Sequence, residues 1–552
     1  MISGWSLVLT LLTSLFVGQS HGWFWPFTAA TIDTPGTTYA DTGAKRIAII
    51  GAGAAGSSTA YYLEQFANKS GIAINVTVFE RNSYVGGRTT TVNAHDNPLE
   101  PVEVGGSIFV EVNAILNNAS RLFGLQARES DTETNEILGI WNGKTFVYTQ
   151  KDSGWKYWDI AKLLWKYGLA PIRTQRLSKS IVGKFLKLYE FPFFPFRSLS
   201  DRLFDLGLTS VTSQTGEQLL TANKIGAPFT TDIIQASTRV NYGQNLASIH
   251  GVEAMVCMAI EGAMQIQGGN WQIFDSMLKA SNTSTLLNTT VNAISKTNGK
   301  YKIKTSFRAS TTHETLTNEE AFDTVVLAAP LQYTDLKLKK GLLQRIPDEI
   351  PYVTLHVTLF ATNKTFSPLF FNLSPGSEVP TTILTTLAPD EVPEAPPKGV
   401  GSPGFFSIST LRQVINPKTL EKENLYKIFS PEKITSEFLS KLFATEVPED
   451  LSSIRADSGH AITWFYSKVW QSYPYELPRV TFEDPELARG FYYTSGIESF
   501  ISTMETSALM GMNVAQLIVN DYLQLLEEQA HGKSPAHAVL EEKPESVHVE
   551  EL

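Results

Sequence analysis

The residue types best suited to chemistry lie in a glycine turn close to the N-terminus. Gly51, Gly53 and Gly56 make the pattern GxGxxG, with Ala54 and Ala55 before the third glycine. An apolar, strand-like segment precedes the turn and a helix-like segment follows it. In this order the first glycine permits a tight turn, the second admits a pyrophosphate to the backbone, and the third lets the helix pack on the strand. The pattern predicts a dinucleotide site with its phosphates at the N-terminus of the helix.

An acidic residue follows at the position where such a site holds a ribose. A second apolar segment ends in Glu80, which Arg81 follows. A carboxylate here can accept hydrogen bonds from both ribose hydroxyls of an adenosine, and it would repel a 2′-phosphate. A glycine turn alone also occurs in α/β proteins that bind no nucleotide, but here strand, turn, helix, strand and acid occur in the order that the site requires.

Two glycine pairs follow the acidic residue. The pairs and their polar neighbours are Gly86, Gly87, Arg88, Gly105, Gly106 and Ser107. Glycine pairs let backbone N–H groups approach phosphate oxygens without an intervening Cβ, and Arg88 adds a permanent positive charge. Adjacent loop glycines by themselves are common in ordinary turns, so the prediction depends on the whole set.

Together these motifs resemble those of FAD-binding flavoproteins of the amine-oxidase type. The resemblance implies FAD, not NAD, as the cofactor. The apolar segment 322–330 is similar to the strand that passes close to the dinucleotide in those proteins, and it contains Ala329. A helix is predicted to begin near Met504 and Glu505, where free N–H groups would bind the ribityl chain or the N1–C2 edge of the flavin. Glu505 has a second interpretation as a first-turn acid on the helix dipole.

Two further segments, 241–244 (NYGQ) and 268–271 (GGNW), are more discriminating than the glycine motifs. The segment 504–508 (METSA) accompanies them. With them, most of the chain is similar to the prenylcysteine oxidase family. The resemblance implies FAD-dependent oxidative cleavage of farnesyl- or geranylgeranyl-cysteine by O2 and water, which gives cysteine, a prenyl aldehyde and hydrogen peroxide.

Catalytic side chains are harder to predict, because such a reaction depends largely on the substrate and the flavin. The protein must supply orientation, an apolar sleeve for the isoprenoid and a polar end for the amino acid. His250 could shuttle a proton and Tyr493 could face the flavin, although both residue types also occur as structural residues. Cys257 could attach the flavin covalently, but its apolar context favours a small core residue. The histidines form no HxxxH or HExxH group, so no metal site is predicted.

The predicted FAD segments are far apart in the chain, so the predicted fold is a two-domain α/β flavoprotein. It combines a doubly wound Rossmann-type FAD domain with a mixed α+β substrate domain. The FAD domain is assigned to 45–150, 245–335 and 485–528, and the substrate domain to 151–244 and 336–484. A proline-rich stretch, 373–404, is expected to be a long surface excursion.

Composition excludes several classes of function. The chain has 552 residues, a formal charge of −10 and one cysteine. There is no overall basic field for nucleic acid. One cysteine excludes intramolecular disulfides and CxxC redox chemistry, so redox chemistry must come from a bound cofactor. Two alternatives remain beside the thioether oxidase: an amine or polyamine oxidase of the same fold, and a non-catalytic flavin- and lipid-binding protein of the lumen.

The chain ends and the sequons predict the secretory route. Residues 1–22 have the apolar run and small residues of a signal peptide, and the acidic stretch 529–552 is predicted to be disordered. The C-terminal VEEL departs from a retention signal, so retention in the endoplasmic reticulum is not expected. The family resemblance implies a lysosome or vacuole, and secretion is the alternative destination. Seven N-x-S/T sequons fit this route: Asn68, Asn75, Asn118, Asn282, Asn288, Asn363 and Asn372.

One segment differs from the acidic average of the chain. Residues 151–188 contain nine Lys or Arg and two Asp, interleaved with Trp and Tyr, and an aromatic cluster follows to residue 196. This composition predicts peripheral contact with a membrane surface through 151–196. The equally weighted alternative is a helical core with a solvated basic face.

Overall fold

The structure is a computed structural model that describes residues 43–129, 136–151, 156–308, 315–396 and 399–530. The predicted signal peptide lies outside these residues, as does the predicted acidic tail from residue 531 onward. Within the described part of the chain, no helix is both long enough and apolar enough to cross a bilayer.

The strands, in chain order, are β1 (Lys45–Ile50), β2 (Ile74–Phe79), β3 (Thr90–Asn93), β4 (Pro101–Gly105), β5 (Ala127–Glu129), β6 (Ile137–Trp141), β7 (Phe146–Lys151), β8 (Met264–Ile266), β9 (Ser284–Leu286), β10 (Thr289–Thr297), β11 (Lys300–Arg308), β12 (Thr315–Phe322), β13 (Thr324–Leu327), β14 (Lys337–Leu338), β15 (Tyr352–Thr362), β16 (Thr382–Thr385), β17 (Ser407–Ile415), β18 (Lys422–Ser430), β19 (Ile462–Pro474), β20 (Glu486–Ala488) and β21 (Phe491–Tyr493).

The α-helices are α1 (Ala54–Ser70), α2 (Ala114–Leu122), α3 (Lys156–Tyr167), α4 (Ala170–Phe185), α5 (Leu199–Asp205), α6 (Thr209–Thr212), α7 (Gly216–Ala222), α8 (Gln235–Tyr242), α9 (Gly251–Val256), α10 (Trp271–Ala280), α11 (Ser436–Phe443) and α12 (Met504–Ala530).

The nucleotide-type domain is built on a six-stranded sheet in the order β20-β21-β13-β1-β2-β9. All neighbouring strands are parallel except the β20–β21 pair at one edge. The alternation of side chains in β1 sends Ile47 and Ile49 into the core that α1 and α12 cover. Ala48 faces the opposite core, which the antiparallel sheet β12-β11-β10-β14 covers. The predicted Rossmann-type α/β fold is confirmed, with a second sheet on one face.

A seven-stranded sheet in the order β19-β15-β18-β17-β16-β6-β7 forms the second domain. The hairpin β6–β7 belongs to this sheet, because Leu138 of β6 pairs in parallel register with Thr382 of β16. The predicted boundary at residue 150 is therefore wrong, and the structure moves it ahead of β6. Helices α3 to α9 form a helical layer that shares the core of the nucleotide-type sheet. Arg239 of α8 also donates to Thr385 Oγ1 of β16 at 3.1 Å, which ties this layer to the second sheet.

The proline-rich stretch 373–404 also differs from its prediction. It contains β16, whose four residues are all buried. Thr386 and Ala388 just beyond the strand are buried too. This segment is an internal strand of the second domain with surface loops around it, and not a surface excursion as a whole.

Candidate active site

A cavity of about 670 Å³ lies where the two domains meet. Its size is that of ordinary ligand sites, about 300–1,000 Å³. The carboxyl ends of β1, β2 and β13 contribute to its wall, as do the two glycine pairs and the start of α12. The second domain adds the end of β19, and the helical layer adds residues from α8 and α9. The opening at the carboxyl ends of parallel strands is the usual position for a nucleotide in such folds.

The three glycines of the turn are glycine for different reasons. A Cβ on Gly51 would lie 2.8 Å from the Ala328 carbonyl oxygen, and the residue has φ +107°. A Cβ on Gly56 would lie 1.9 Å from the Gly51 carbonyl oxygen. At Gly53, however, the nearest atom would be 3.8 Å away, and the residue lines the cavity. The fold therefore explains Gly51 and Gly56, whereas the free space at Gly53 fits a pyrophosphate held against the backbone.

Glu80 lies just beyond β2, where the ribose of a dinucleotide would bind. It is 5% exposed and lines the cavity. Its Oε2 accepts a hydrogen bond from the Ala52 N–H at 2.9 Å, and its Oε1 accepts from the N–H and the side-chain amide of Asn82 at 2.7 and 2.8 Å. A carboxylate offers about four acceptor sites. Glu80 thus has room for one ribose hydroxyl rather than the two that the sequence suggested.

Arg88 joins the glycine pair 86–87 to the wall of the cavity that β19 forms. Its Nη1 donates to the Ser472 carbonyl oxygen of β19 at 2.6 Å, and its Nη2 contacts Glu498 Oε1 at 2.8 Å. The Tyr352 hydroxyl donates to the other oxygen of Glu498 at 3.1 Å. The guanidinium therefore binds elements of both domains together beside the cavity, while its charge is balanced by Glu498.

The start of α12 lines the cavity with Met504 and Glu505, the two residues for which the sequence predicts flavin-binding N–H groups. These are the first two residues of the helix, where N–H groups lack acceptors within the helix. The Glu505 carboxylate accepts from the N–H groups of Ile115 and Leu116 at 2.9 and 3.0 Å, so it caps α2 rather than its own helix. Burial raises the pKa of Glu505 to about 7, against the lowering effect of those two donors.

The GGNW segment supports the glycine pair 105–106. Asn270 donates its backbone N–H to Glu103 Oε1 at 2.7 Å and its side-chain amide to the Gly106 carbonyl oxygen at 2.8 Å. The buried Lys427 ammonium donates to Ser107 Oγ at 2.9 Å and to the Glu103 carbonyl oxygen at 2.7 Å. Burial raises the pKa of Glu103 to about 8 and lowers that of Lys427 to about 8. The glycine pair is thus held from two sides by buried polar groups.

Most of the residues predicted to bind the cofactor line this one cavity. Gly56 does not, since its role is to pack α1 against the turn. The residues that do are Gly51, Gly53, Ala54, Ala55, Glu80, Arg81, Gly87, Arg88, Gly105, Gly106, Ser107, Ala329, Met504 and Glu505. These residues come from six separate stretches between Gly51 and Glu505, and the fold brings them together.

We name the part of the cavity formed by the glycine turn, the two glycine pairs and the start of α12 the dinucleotide cradle. An apolar wall continues from this cradle into the helical layer. It includes Val240 of α8 and Val256 at the end of α9, followed by Ala259 and Ile260. Cys257 lies in the same wall, and burial raises the pKa of its thiol well above the usual value. A protonated thiol is a poor nucleophile, so the wall position favours a packing role for Cys257.

The two weak catalytic predictions, His250 and Tyr493, do not line the cavity. His250 is fully buried as the N-cap of α9, where its Nδ1 accepts from the Glu253 N–H at 3.2 Å. Its Nε2 lies 3.3 Å from Glu476 Oε2, and burial lowers the pKa of the imidazole to about 4. Tyr493 is a core residue of β21. The contacts of both residues are those of structural residues, and the geometry favours that role over a catalytic one.

Sequence reasoning missed the end of β19 as part of the site. Residues 468–473 line the cavity beside the glycine pairs, and Tyr473 packs edge to face on Tyr242 with ring centroids 5.1 Å apart. Tyr242 belongs to the NYGQ segment, so that motif marked one half of the pair. The other member of the pair, Tyr473, lies in the long strand β19 among several other aromatic residues, and nothing in the local sequence marks it as part of a site.

Comparison with known sequences shows which family the chain belongs to. The profile of the prenylcysteine lyase family matches residues 150–530, and that of an NAD(P)-binding Rossmann-like domain matches residues 49–124. The chain belongs to the prenylcysteine lyase family. Farnesylcysteine lyase from Arabidopsis thaliana is 28% identical over 505 residues, which cover 86% of this chain and 88% of the relative. Prenylcysteine oxidase 1 from Bos taurus is 28% identical, with coverage of 88% and 90%.

Solved structures of more distant proteins share the fold of this family member. A putative protoporphyrinogen oxidase from Exiguobacterium sp. 255-15 has a TM-score of 0.54 at 13% identity and covers 87% of this chain and 99% of its own. Cyclohexylamine oxidase from Brevibacterium oxydans IH-35A has a TM-score of 0.51 at 15% identity, with coverage of 87% and 100%. These likenesses show the overall fold and nothing finer.

Proposed function

We propose that this protein is an FAD-dependent oxidoreductase that cleaves the thioether of prenyl-L-cysteines, such as farnesyl- or geranylgeranyl-cysteine, with O2 and water. The products are cysteine, a prenyl aldehyde and hydrogen peroxide. One observation carries the proposal: the cavity joins a dinucleotide cradle, with free space at Gly53, to an apolar wall of the helical layer. Family membership and the names of the relatives support it.

The residues present fit FAD. The open position at Gly53 and the spare acceptor site of Glu80 suit the pyrophosphate and the ribose. The N–H groups at the start of α12 suit the anionic edge of the flavin. When bound, FAD supplies the acceptor for a hydride from the carbon that bears sulfur.

The residues of the chain bind the substrate, orient its reacting carbon and exclude solvent from the cavity. Burial of the isoprenoid against Val240, Val256 and Ile260 contributes about 0.8 kcal/mol for each buried CH2 group. That energy fixes the reacting carbon relative to the cradle. Water must then bond to this carbon with loss of a proton before the C–S bond breaks to release the thiol. Amide groups of Asn241 and Gln471 in the wall offer polar partners for the amino acid end.

The amine oxidase alternative is favoured by one feature, the Tyr242–Tyr473 pair in the wall, because aromatic rings attract a cation. The contacts of the acidic residues in the wall argue against an amine substrate. Glu80, Glu498 and Glu505 are the acidic side chains that line the cavity among the described residues, and each is already bound to partners in the protein. Arg88 neutralises Glu498, the N–H groups of α2 occupy Glu505, and the spare acceptor site of Glu80 is assigned to the ribose, so no carboxylate is left for an ammonium substrate.

Product analysis tests the proposal against this alternative. The full-length holoprotein is incubated in air with farnesylcysteine, with putrescine, and with a saturated S-alkylcysteine of similar length as a matched control. We expect equal amounts of free thiol, farnesal and peroxide from farnesylcysteine only, since the allylic carbon stabilises the loss of hydride. Peroxide from putrescine with none from farnesylcysteine would establish the amine oxidase instead.

We also propose that the protein follows the secretory route to a lysosome or vacuole, or out of the cell. The asparagines of all seven sequons are exposed in the structure, which makes them accessible to a glycosyltransferase. Treatment of protein from a eukaryotic secretory host with an N-glycosidase should increase its gel mobility. Unchanged mobility would contradict the glycosylated form.

A further inference from the structure

A strongly basic surface lies outside the proposed reaction site. Between residues 160 and 189 the chain contains no Asp or Glu, while the whole chain has a formal charge of −10. The basic residues of this stretch are Lys162, Lys166, Arg173, Arg176, Lys179, Lys184 and Lys187. Such a local reversal of charge concentrates anionic partners at one place on an acidic protein.

The helix α4 presents much of this charge on one side. Arg173, Arg176 and Lys179 follow one another at intervals of three residues and are exposed, as is Lys187 just beyond the helix. We name these four residues the basic face. The opposite side of α4 is buried, and there Ser178 Oγ donates to the Met255 carbonyl oxygen of α9 at 2.9 Å. The helix is therefore fixed to the protein with its basic face toward solvent.

Large apolar side chains lie exposed at both ends of α4. Trp165 and Leu169, which precede the helix, are 91% and 59% exposed, and Phe191, which follows it, is 77% exposed. We name these three residues the apolar ends. A 16-residue helix is about 24 Å long, so the apolar ends are far apart and do not form one compact hydrophobic patch. Aromatic side chains beside a basic helix are typical of a helix that lies in a membrane interface.

The basic face also adjoins one end of the cavity. Ala259 and Ile260 line the cavity and are partly exposed, and the next residue, Glu261, lies 4.0 Å from the ammonium of Lys179. The Glu111 N–H donates to the Glu261 carbonyl oxygen at 3.2 Å, which brings Val110, another lining residue, to the same rim. The apolar wall of the cavity thus reaches the surface next to α4.

We propose that the basic face and the apolar ends dock on an anionic lipid surface, and that the lipidated substrate enters the cavity from this surface past Ile260. Charge complementarity selects the partner, since each basic residue near an anionic bilayer raises the affinity about fivefold. The apolar ends add insertion into the headgroup region. Glu111 and Glu261 at the rim oppose this attraction, but they are outnumbered by the basic face. The entry route rests on the proposed function, whereas the docking does not.

Vesicle flotation with the full-length protein tests the docking. The probes are phosphatidylcholine vesicles with and without about 30% phosphatidylserine. We expect flotation with the anionic vesicles only. The variant R173E/R176E/K179E should bind at least about 100-fold more weakly, because three attractions are replaced by repulsions.

A matched control makes the same change of charge elsewhere. The variant K300E/K302E/K304E alters three exposed lysines of β11, on the sheet that covers the nucleotide-type domain. It should float as the unchanged protein does. Equal loss of binding in both variants, equal binding to neutral vesicles, or capture of an acidic protein without any lipid binding would overturn the proposal. The variant W165A/F191A should bind anionic vesicles more weakly without any change of charge.

The entry route is tested by the way in which substrate is supplied. With farnesylcysteine held in anionic vesicles, R173E/R176E/K179E should lower kcat/KM about as much as it lowers vesicle binding. With the same substrate dissolved in water, kcat/KM should be unchanged. An equal loss in both assays would overturn the entry route. If no variant oxidises farnesylcysteine in either form, the proposed function has failed, and flotation still decides the docking.

Discussion

Gly53 is the residue at which ligand binding and folding can be separated. Its φ is −83°, which any residue can adopt, and a Cβ there meets no atom of the chain within 3.8 Å. We expect Gly53→Val to fold normally but to be purified without flavin, because its side chain occupies the pyrophosphate's space. Flavin absorbance at about 450 nm per mole of protein, with the melting temperature, checks this.

The matched control for this substitution is Gly56→Val in the same turn. Its Cβ would lie 1.9 Å from the Gly51 carbonyl oxygen, so this variant should misfold. A yellow Gly53→Val protein with full flavin content would contradict the assignment of the turn to the dinucleotide.

Glu80 has both a structural and a binding role. Removal of its carboxylate leaves the buried Ala52 N–H without an acceptor, at a cost of about 1–3 kcal/mol. From the sequence alone, Glu80→Ala would be expected to weaken FAD binding and leave the fold intact. The hydrogen bond from Ala52 means that it also lowers the stability of the fold. We expect Glu80→Gln, which keeps one oxygen, to lower FAD affinity about tenfold with a smaller loss of melting temperature than Glu80→Ala. Titration of apoprotein with FAD measures this, and unchanged affinity would refute the role.

His250 makes stability depend on pH. Burial lowers its pKa to about 4, while the unfolded chain has the usual value of 6.5. Below pH 6.5 the unfolded state binds a proton that the folded state does not, so stability is lost as the pH falls from about 6.5 to about 4. The full effect is about 3 kcal/mol.

The substitution His250→Asn keeps an acceptor for the N-cap and removes this titration. We expect the difference in melting temperature between the original protein and the variant to shrink or reverse between about pH 7 and about pH 4.5. A difference that stays constant over this range would show that the imidazole binds its proton at the same pH in the folded and the unfolded protein.

At the level of secondary structure, α2 depends on α12 for its cap. Asn113 at the N-cap of α2 makes no capping hydrogen bond to the helix, and Glu505 supplies both acceptors instead. We expect Glu505→Ala to lower the free energy of unfolding by about 1–2 kcal/mol and to weaken flavin retention, since the start of α12 also lines the cavity. The control is Glu528→Ala on the exposed end of α12. Equal unfolding curves for the two variants would contradict the cap.

Local elements were predictable, and long-range pairings were not. The β1–α1–β2 unit could be predicted because its strands, turn and acid follow one another within 40 residues of the printed sequence. The hairpin β6–β7 could not be assigned to its domain, since its partner strand β16 lies more than 200 residues downstream. The prolines around β16 suggested a loop, but parallel pairing with β6 buries this short strand.

In the whole molecule, the cofactor half of the site was predictable and the substrate half was not. The cofactor half needs glycine wherever the backbone has a positive φ or where another backbone segment or a phosphate comes close to it. These requirements produce the glycine motifs that can be read in the sequence. The apolar wall, in contrast, consists of ordinary core residue types such as Val240 and Ile260, which line a cavity only because two domains and a helical layer meet there. The residue that activates water belongs to the same category, since tertiary placement alone would distinguish it.

Oxidation of a prenyl thioether in this cavity by bound FAD is tested most directly by anaerobic mixing of the holoprotein with farnesylcysteine, with flavin absorbance followed at about 450 nm. We expect bleaching, return of colour on admission of air, and one cysteine released for each flavin reduced. A yellow protein that farnesylcysteine fails to bleach would contradict the proposed function, and bleaching by an amine in the same apparatus would assign the cavity to amine oxidation.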